Sequence, residues 1–240
     1  SNENKVKELV DWNCYSYFNV WVVKSIENMS QYGSVLGYAQ FPASGLCGTD
    51  GVVLLNTWTG STGTSSNLGR TLVHEAGHWL NLIHIWGDQT CGSDEVSDTP
   101  PARNPNFGIC YNNFPYIPDT VCPGTDSLVG EMMVNYMDYS DDQCMSMFTQ
   151  GQCERMLYTL TGPTGNTGTR SFIWSDQNLI ATGTNDGYQE QACAPIADFI
   201  ASKTYACVGT SITLTDKSYN GTVSSRTWTV NGGTLSAPNG

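Results

Sequence analysis

His74-Glu75-Ala76-Gly77-His78-Trp79-Leu80-Asn81-Leu82-Ile83-His84 is the stretch that decides how the chain is read. The 240 residues contain three histidines, and all three lie within these eleven positions. Residues four apart project from one face of an α-helix. His74 and His78 therefore present two imidazoles one turn apart, suited to a tetrahedral Zn²⁺ at about 2.0–2.1 Å from each nitrogen. Glu75, beside the first histidine, is placed to take a proton from an attacking water. The apolar spacing predicts a helix over 68–82, with Asn67 as its N-cap. A helix continued past Leu82 would carry His84 off the face of the other two. The helix must break, and Asn81 is the expected break, because Asn is the non-glycine residue best tolerated at a left-handed helix terminus. Three protein ligands and an open fourth position make a catalytic zinc site. A structural site takes four, often cysteines, and the chain contains no CxxC pair.

The rest of the composition bounds the classes of function. A net charge of −12 and a pI near 4.4 argue against nucleic acid and anionic membrane surfaces as partners. No apolar run approaches the ~18–20 residues of a membrane span, and no signal peptide is visible in the first residues. The chain reads as a mature or trimmed monomer. Nine scattered cysteines (14, 47, 91, 110, 122, 144, 153, 193 and 207) suit disulfides in a secreted, extracellular protein, or idle thiols in a reducing one. Their odd number leaves one thiol free or paired outside the chain.

Residues 1–12 suggest a short helix with Val6, Leu9, Val10 and Trp12 on its inner side. Strands are expected at 17–23, buried on both faces, and at 37–41 and 51–58. Residues 86–130 have little periodicity and much Pro, Gly, Asn and Asp. Their acidic loop of Asp94, Glu95, Asp98 and Thr99 offers oxygen ligands suited to Ca²⁺, or is a solvated loop. Thr149 and Gln152 form a capping box for a helix over about 150–160, stopped by Gly162-Pro163, with Met156 and Leu160 inward. The chain divides at sequence level into a domain over 1–162, a linker and packed tail over 163–192, and strands at 197–201, 211–215 and 226–230. These last resemble the start of a β-sandwich over 193–240. Asn28 and Asn220 begin formal glycosylation sequons.

With Met137 in a turn downstream of the three histidines, the sequence resembles the metzincin clan of zinc peptidases. Gly37-Tyr38-Ala39-Gln40-Phe41-Pro42, Asp50-Gly51-Val52-Val53, His84-Ile85-Trp86-Gly87-Asp88 and Asn135-Tyr136-Met137-Asp138-Tyr139 narrow the resemblance to the pappalysin family, and to its secreted bacterial members. It covers roughly residues 15–182. Residues 193–240 resemble a truncated PKD-type module. The resemblance implies an α+β fold: a mixed twisted sheet with a backing helix and a zinc-binding active-site helix, then an irregular C-terminal subdomain with a Met-turn and a C-terminal helix. It implies a zinc endopeptidase acting on proteins or peptides. His74, His78 and His84 would be the ligands, Glu75 the general base and acid, and Met137 the Met-turn residue. Tyr139 would stabilise the transition state. It further implies disulfides Cys91–Cys122 and Cys110–Cys144 and a calcium role for the loop from Asp94 to Thr99. Two departures stand out. The family's glycine at the helix break is Asn81, and the Asp that selects Arg or Lys after the scissile bond in some members is Gln143, which puts a basic preference in doubt. The strand at 51–58 is expected at the cleft edge, where it would pair with an extended substrate. The rival readings are a secreted surface- or matrix-binding protein with a structural or vestigial zinc site, and a zinc esterase or amidase.

Overall fold

The computed structural model describes residues 2–27, 33–42, 47–60, 67–108, 115–125, 130–163, 170–185, 196–218 and 225–236. The chain divides into two compact units, 1–185 and 186–240.

In the first unit the sheet has three strands: β1 (Val20–Val23), β2 (Gly37–Ala39) and β3 (Val52–Leu55), in the order β1-β3-β2. β3 runs parallel to β1, with Val20 opposite Val52, and antiparallel to β2, with Gly37 opposite Leu54. This central place explains the burial. Val52, Val53 and Leu54 are all but inaccessible, as an apolar run covered on both faces should be. The expectation of two-sided burial for residues 17–23 is corrected: β1 leaves Val20 and Val22 exposed. β3 likewise is not at the cleft edge. Among the described residues β1 and β2 are the two edge strands, β2 being the one that borders the cavity, and the chain leaves β3 through a 3₁₀ turn at Asn56–Trp58. The N-terminal helix α1 (Asn2–Lys7) is shorter than expected, and Val6, Leu9, Val10 and Trp12 face solvent.

Helix α2 (Arg70–Trp79) carries the first two histidines. Its start differs from the sequence expectation. Gly69, at φ +74°, is the N-cap, and Asn67 instead donates its side-chain amide to the Thr57 carbonyl. The cap comes from Asp142, whose Oδ2 accepts from the Leu68 and Arg70 N–H groups at 2.7 and 3.1 Å. A carboxylate at this end also complements the helix dipole. The other end breaks at Asn81, φ +76°. Asn81 N–H donates to the His78 carbonyl at 2.9 Å and Leu82 N–H to the Gly77 carbonyl at 2.8 Å, which together form a Schellman motif.

Trp79, Val52 and Leu54 form one core, joined by Leu72, Leu80, Ala39 and Ile173. Arg170 seals it. Its guanidinium lies 4.1 Å from the Trp79 ring, pairs with buried Asp50, and donates to the Gln40 and Trp79 carbonyls. A second core of Leu82, Ile85, Trp86, Ala102 and Met137 lies beyond the helix break. Between α2 and the next helix the described residues hold only isolated bridges, Tyr116 with Glu131 and Asn135 with Met147. The disulfide Cys91–Cys122 ties this stretch together, and Cys14–Cys47 joins the N-terminal segment to the turn before β3. Cys144 is also disulfide-bonded; Cys110 and Cys193 lie outside the described residues, as do Asn28 and Asn220, while Cys153 and Cys207 are free.

Helix α3 (Gln150–Thr161) opens on the full capping box of Thr149 and Gln152. Met156 packs on the second core, but the fully buried positions are Gln152 and Thr159, both polar. Helix α4 (Asp176–Thr182) follows, and its Asn178 amide reaches the Ser16 carbonyl. In the second unit β4 (Phe199–Ala201) pairs antiparallel with β5 (Leu214–Asp216). The strand expected at 226–230 is not formed. No helix among the described residues is long and apolar enough to cross a membrane.

The left-handed turn gives a direct test. Asn81→Gly is expected to leave the thermal midpoint unchanged or raised, whereas Asn81→Val destabilises by about 1–2 kcal/mol. Equal midpoints for the two variants would contradict the turn's role.

Candidate metal centre and active site

The Schellman turn reverses the chain after α2 and brings His84 back toward the helix. The Nε2 atoms of His74, His78 and His84 stand 3.1, 3.1 and 3.3 Å apart. Three nitrogens at about 2.0–2.1 Å from one tetrahedral ion would be about 3.3 Å apart. The spacing therefore fits a zinc ion. The opposite ring nitrogens fix the tautomers. Nδ1 of His74 faces the Tyr136 carbonyl at 2.6 Å, Nδ1 of His78 the Leu82 carbonyl at 2.7 Å, and Nδ1 of His84 the Asp88 carboxylate at 2.5 Å. Each acceptor places a proton on Nδ1 and leaves the Nε2 lone pair free for a metal. Burial and the neighbouring His84 hold the His74 pKa down at about 3. Burial, with His74 and His84 beside it, also holds His78 well below its ordinary value. Both are neutral at physiological pH, the form a ligand needs.

Asp88 was not singled out as a functional residue on sequence. Its hydrogen bond to His84 keeps its own carboxyl below the usual range. The available signal was its position four residues after the third histidine, since histidine ligands commonly donate their second nitrogen to a carboxylate.

Beneath the three histidines lies the turn around Met137. Met137 is fully buried, and a Cβ at Gly77 would collide with its Sδ. Only glycine lets α2 approach so closely. Asn135 shapes the turn: its Oδ1 accepts from Met137 N–H at 2.8 Å, and its amide exchanges hydrogen bonds with Gln152 at 2.7 and 3.2 Å. Gln152, which caps α3, thus also anchors the turn that supplies the Tyr136 carbonyl to His74.

Glu75 is 5 % exposed and has no hydrogen-bond partner among the described residues. Burial raises its pKa to about 8. The backbone of β2 passes directly over it, since a Cβ on Gly37 would lie 3.0 Å from Glu75 Cγ. Glu75 and His74 line one wall of a cavity of about 390 Å³, which residues 34–37 border on the β2 side. Tyr139, Asp141, Gln143 and Phe107 line it elsewhere. The Tyr139 ring lies 4.8 Å from that of His84 and 5.6 Å from that of His74.

The four residues of the acidic loop differ in their partners. Glu95 pairs with Arg155 at 3.0 Å, and Asp98 accepts from Gly151 N–H at 2.9 Å, at the start of α3. Each of these carboxylates thus has a protein partner on one of its oxygens. Asp94 and Thr99 differ. Both are buried, and Asp94 Oδ2 and Thr99 Oγ1 lack a hydrogen-bond partner of good geometry, although the Thr99 hydroxyl lies near enough to act on the Asp94 carboxyl. Burial raises the Asp94 carboxyl, against the smaller opposing effects of Val96 N–H and Thr99.

The comparisons with known proteins agree with this geometry. Residues 1–161 match the peptidase family M43, described as pregnancy-associated plasma protein-A. Extracellular metalloprotease 1 of Coccidioides posadasii is 37 % identical over 166 residues, covering 65 % of this chain and 53 % of that protein. An extracellular metalloprotease of Verticillium alfalfae is 37 % identical over 164 residues, with the same coverage of 65 % and 53 %. Mature mirolysin of Tannerella forsythia, solved with a cleaved peptide, is 37 % identical with a TM-score of 0.61, over 77 % of this chain and 66 % of that one. Mirolysin with a bound compound is 38 % identical with a TM-score of 0.58, over 72 % and 62 %. The chain spans about half the length of the curated relatives it matches. With a family match over two thirds of its length and the metzincin fold of mirolysin around its three histidines, the chain belongs to the M43, or pappalysin, family of metallopeptidases.

Proposed function

We propose that the chain carries the catalytic centre of a secreted zinc endopeptidase that hydrolyses peptide bonds in proteins or peptides. The observation that carries this is the convergence of three Nε2 atoms beside Glu75, a buried carboxyl that opens onto a substrate-sized cavity. His74, His78 and His84 would hold the zinc, which would supply a Lewis acid able to let water lose a proton near neutral pH. Glu75 takes that proton as the water oxygen bonds to the scissile carbonyl carbon. It then delivers the proton to the amide nitrogen as the C–N bond breaks. The Tyr139 hydroxyl is the protein's donor to the developing oxyanion. An extended substrate adds as a strand to the open edge of β2, where backbone pairing grips the chain whatever its side chains. A structural zinc site would have no use for an unpaired base facing a cavity, which disfavours the binding-protein reading.

Two further assignments belong to the same reading. Gln143 occupies the position of the basic-selecting Asp. Of its carboxylate neighbours, Asp142 is committed to capping α2, and Asp141 lines the cavity. With an uncharged Gln143 at this position, we expect selection for Arg or Lys after the cut to be weaker than an Asp there would give, with Asp141 the remaining carboxylate on the cavity wall. Asp94 and Thr99, with their unsatisfied buried oxygens, are the core of a calcium site that braces the irregular segment. Disulfides and relatives named extracellular metalloproteases fit a secreted protein.

Glu75→Gln should retain zinc and lower peptide-library cleavage by at least about 10²-fold. Phenanthroline should abolish wild-type cleavage, and added Zn²⁺ restore it. Full activity in the variant, or a dominant Arg or Lys after the cut, would overturn the respective assignment. The same variant has a second readout without metal. The folded Glu75 carboxyl stays neutral up to about pH 8, whereas the unfolded one ionises near 4.5. Wild-type stability is thus lost as pH rises through this window, and the amide variant escapes that loss. The melting temperature of the metal-free variant relative to wild type should rise by several degrees between the two pH values; a constant difference would contradict the burial effect. Calcium should raise the wild-type melting temperature over an EGTA-treated control and leave Asp94→Asn unmoved. An equal rise in both would remove the calcium assignment.

A further inference from the structure

Two buried carboxylates near the pocket take no direct part in this chemistry. Glu131 is 2 % exposed and Asp138 is inaccessible, and neither forms an ion pair among the described residues. Neutral donors hold them instead. Glu131 Oε1 accepts from Arg103 N–H at 2.8 Å. Asp138 accepts from Tyr139 N–H at 2.8 Å and, at greater length, from the Ser140 hydroxyl. The residue common to both is Asn106. Its backbone N–H donates to Asp138 Oδ1 at 3.0 Å, and its side-chain amide donates to Asp138 Oδ2 at 2.7 Å and Glu131 Oε2 at 3.2 Å. Asn is suited to this place because its NH₂ offers two donors. An ionised Asp would add a third carboxylate to a buried pair. Removing the amide would leave buried carboxylate oxygens short of a donor, the costly form of hydrogen-bond loss.

The network joins two walls of the cavity. Phe107 follows Asn106 directly, and its ring lies 5.6 Å from that of Tyr139. Both rings line the cavity. Phe107 is 53 % exposed, and the hydrogen bonds of Asn106 tie its segment to the turn. On the other side, Asp138 holds the backbone of Tyr139. We infer that Asn106 is a positioning residue for the peptidase reaction: by clamping residues 103–107 onto the Met137 turn through Asp138 and Glu131, it sets the spacing of Phe107 and Tyr139 and with it which substrate side chain the cavity accepts. This rests on the endopeptidase reading of the same site.

The test compares wild type, Asn106→Ala and Phe107→Ala on one peptide library, each loaded with zinc and corrected for folded fraction. The positioning role predicts a broadened cleavage profile in both variants. It also predicts a fall in kcat/KM of between about 10- and 100-fold for Asn106→Ala, carried mainly by KM, with zinc affinity unchanged. Phe107→Ala changes a half-exposed side chain and keeps the test open if Asn106→Ala fails to fold. An unchanged profile in Phe107→Ala, or a folded Asn106→Ala that differs from wild type only in melting temperature, would overturn the inference while leaving the peptidase intact. A wild-type protein that cuts nothing would overturn both readings.

Discussion

The metal centre depends on one backbone feature, the left-handed turn at Asn81. A helix continued by one more turn would point His84 away from His74 and His78. The turn instead sends Leu82 and Ile85 into the second core and returns His84 with its Nε2 within 3.3 Å of both others. The same turn supplies the Leu82 carbonyl that orients His78. The break thus provides the third imidazole of the cluster and the tautomer of the second. Its cost in left-handed backbone is small for Asn and is met by the two Schellman hydrogen bonds.

The turn holds because polar groups distant in sequence lock what surrounds it. Arg155 on α3 donates to the Asn81 carbonyl at 2.7 Å. The Asn135–Gln152 amide pair fixes the Met137 turn below, and Asp142 caps the start of α2 from 72 residues away. In a segment with almost no regular structure, such side-chain bonds replace the ladders of a sheet in satisfying buried backbone groups. The glycines complete the fit, Gly77 by admitting Met137 and Gly37 by admitting Glu75. A buried, desolvated Glu75 is unfavourable for folding, and the fold tolerates it beside the three histidines.

What could be read from sequence was what local spacing encodes. The three histidines, the break at Asn81 and the capping box of Thr149 and Gln152 are all decided within a few residues, and the structure has the same break and the same cap. What was hidden depends on partners far along the chain. Asn67 has the right chemistry for a cap, yet Asp142 reaches the helix first. Residues 17–23 and 52–55 are similarly apolar, but only strand order makes β3 central and leaves β1 half exposed. Asp94, Glu95 and Asp98 look alike in sequence. Arg155 and the start of α3 engage the last two, and only the folded chain separates them from Asp94. Arg170 and Asn106 carried no local signal at all.

The central claim is that three imidazole nitrogens, and no other protein group, hold one zinc ion through the turn at Asn81. Zinc-edge X-ray absorption on the zinc-loaded chain measures this directly. The account predicts three nitrogen scatterers of imidazole type at about 2.0–2.1 Å with the remaining position filled by oxygen. A sulfur scatterer at about 2.3 Å, or only two imidazoles, would contradict it.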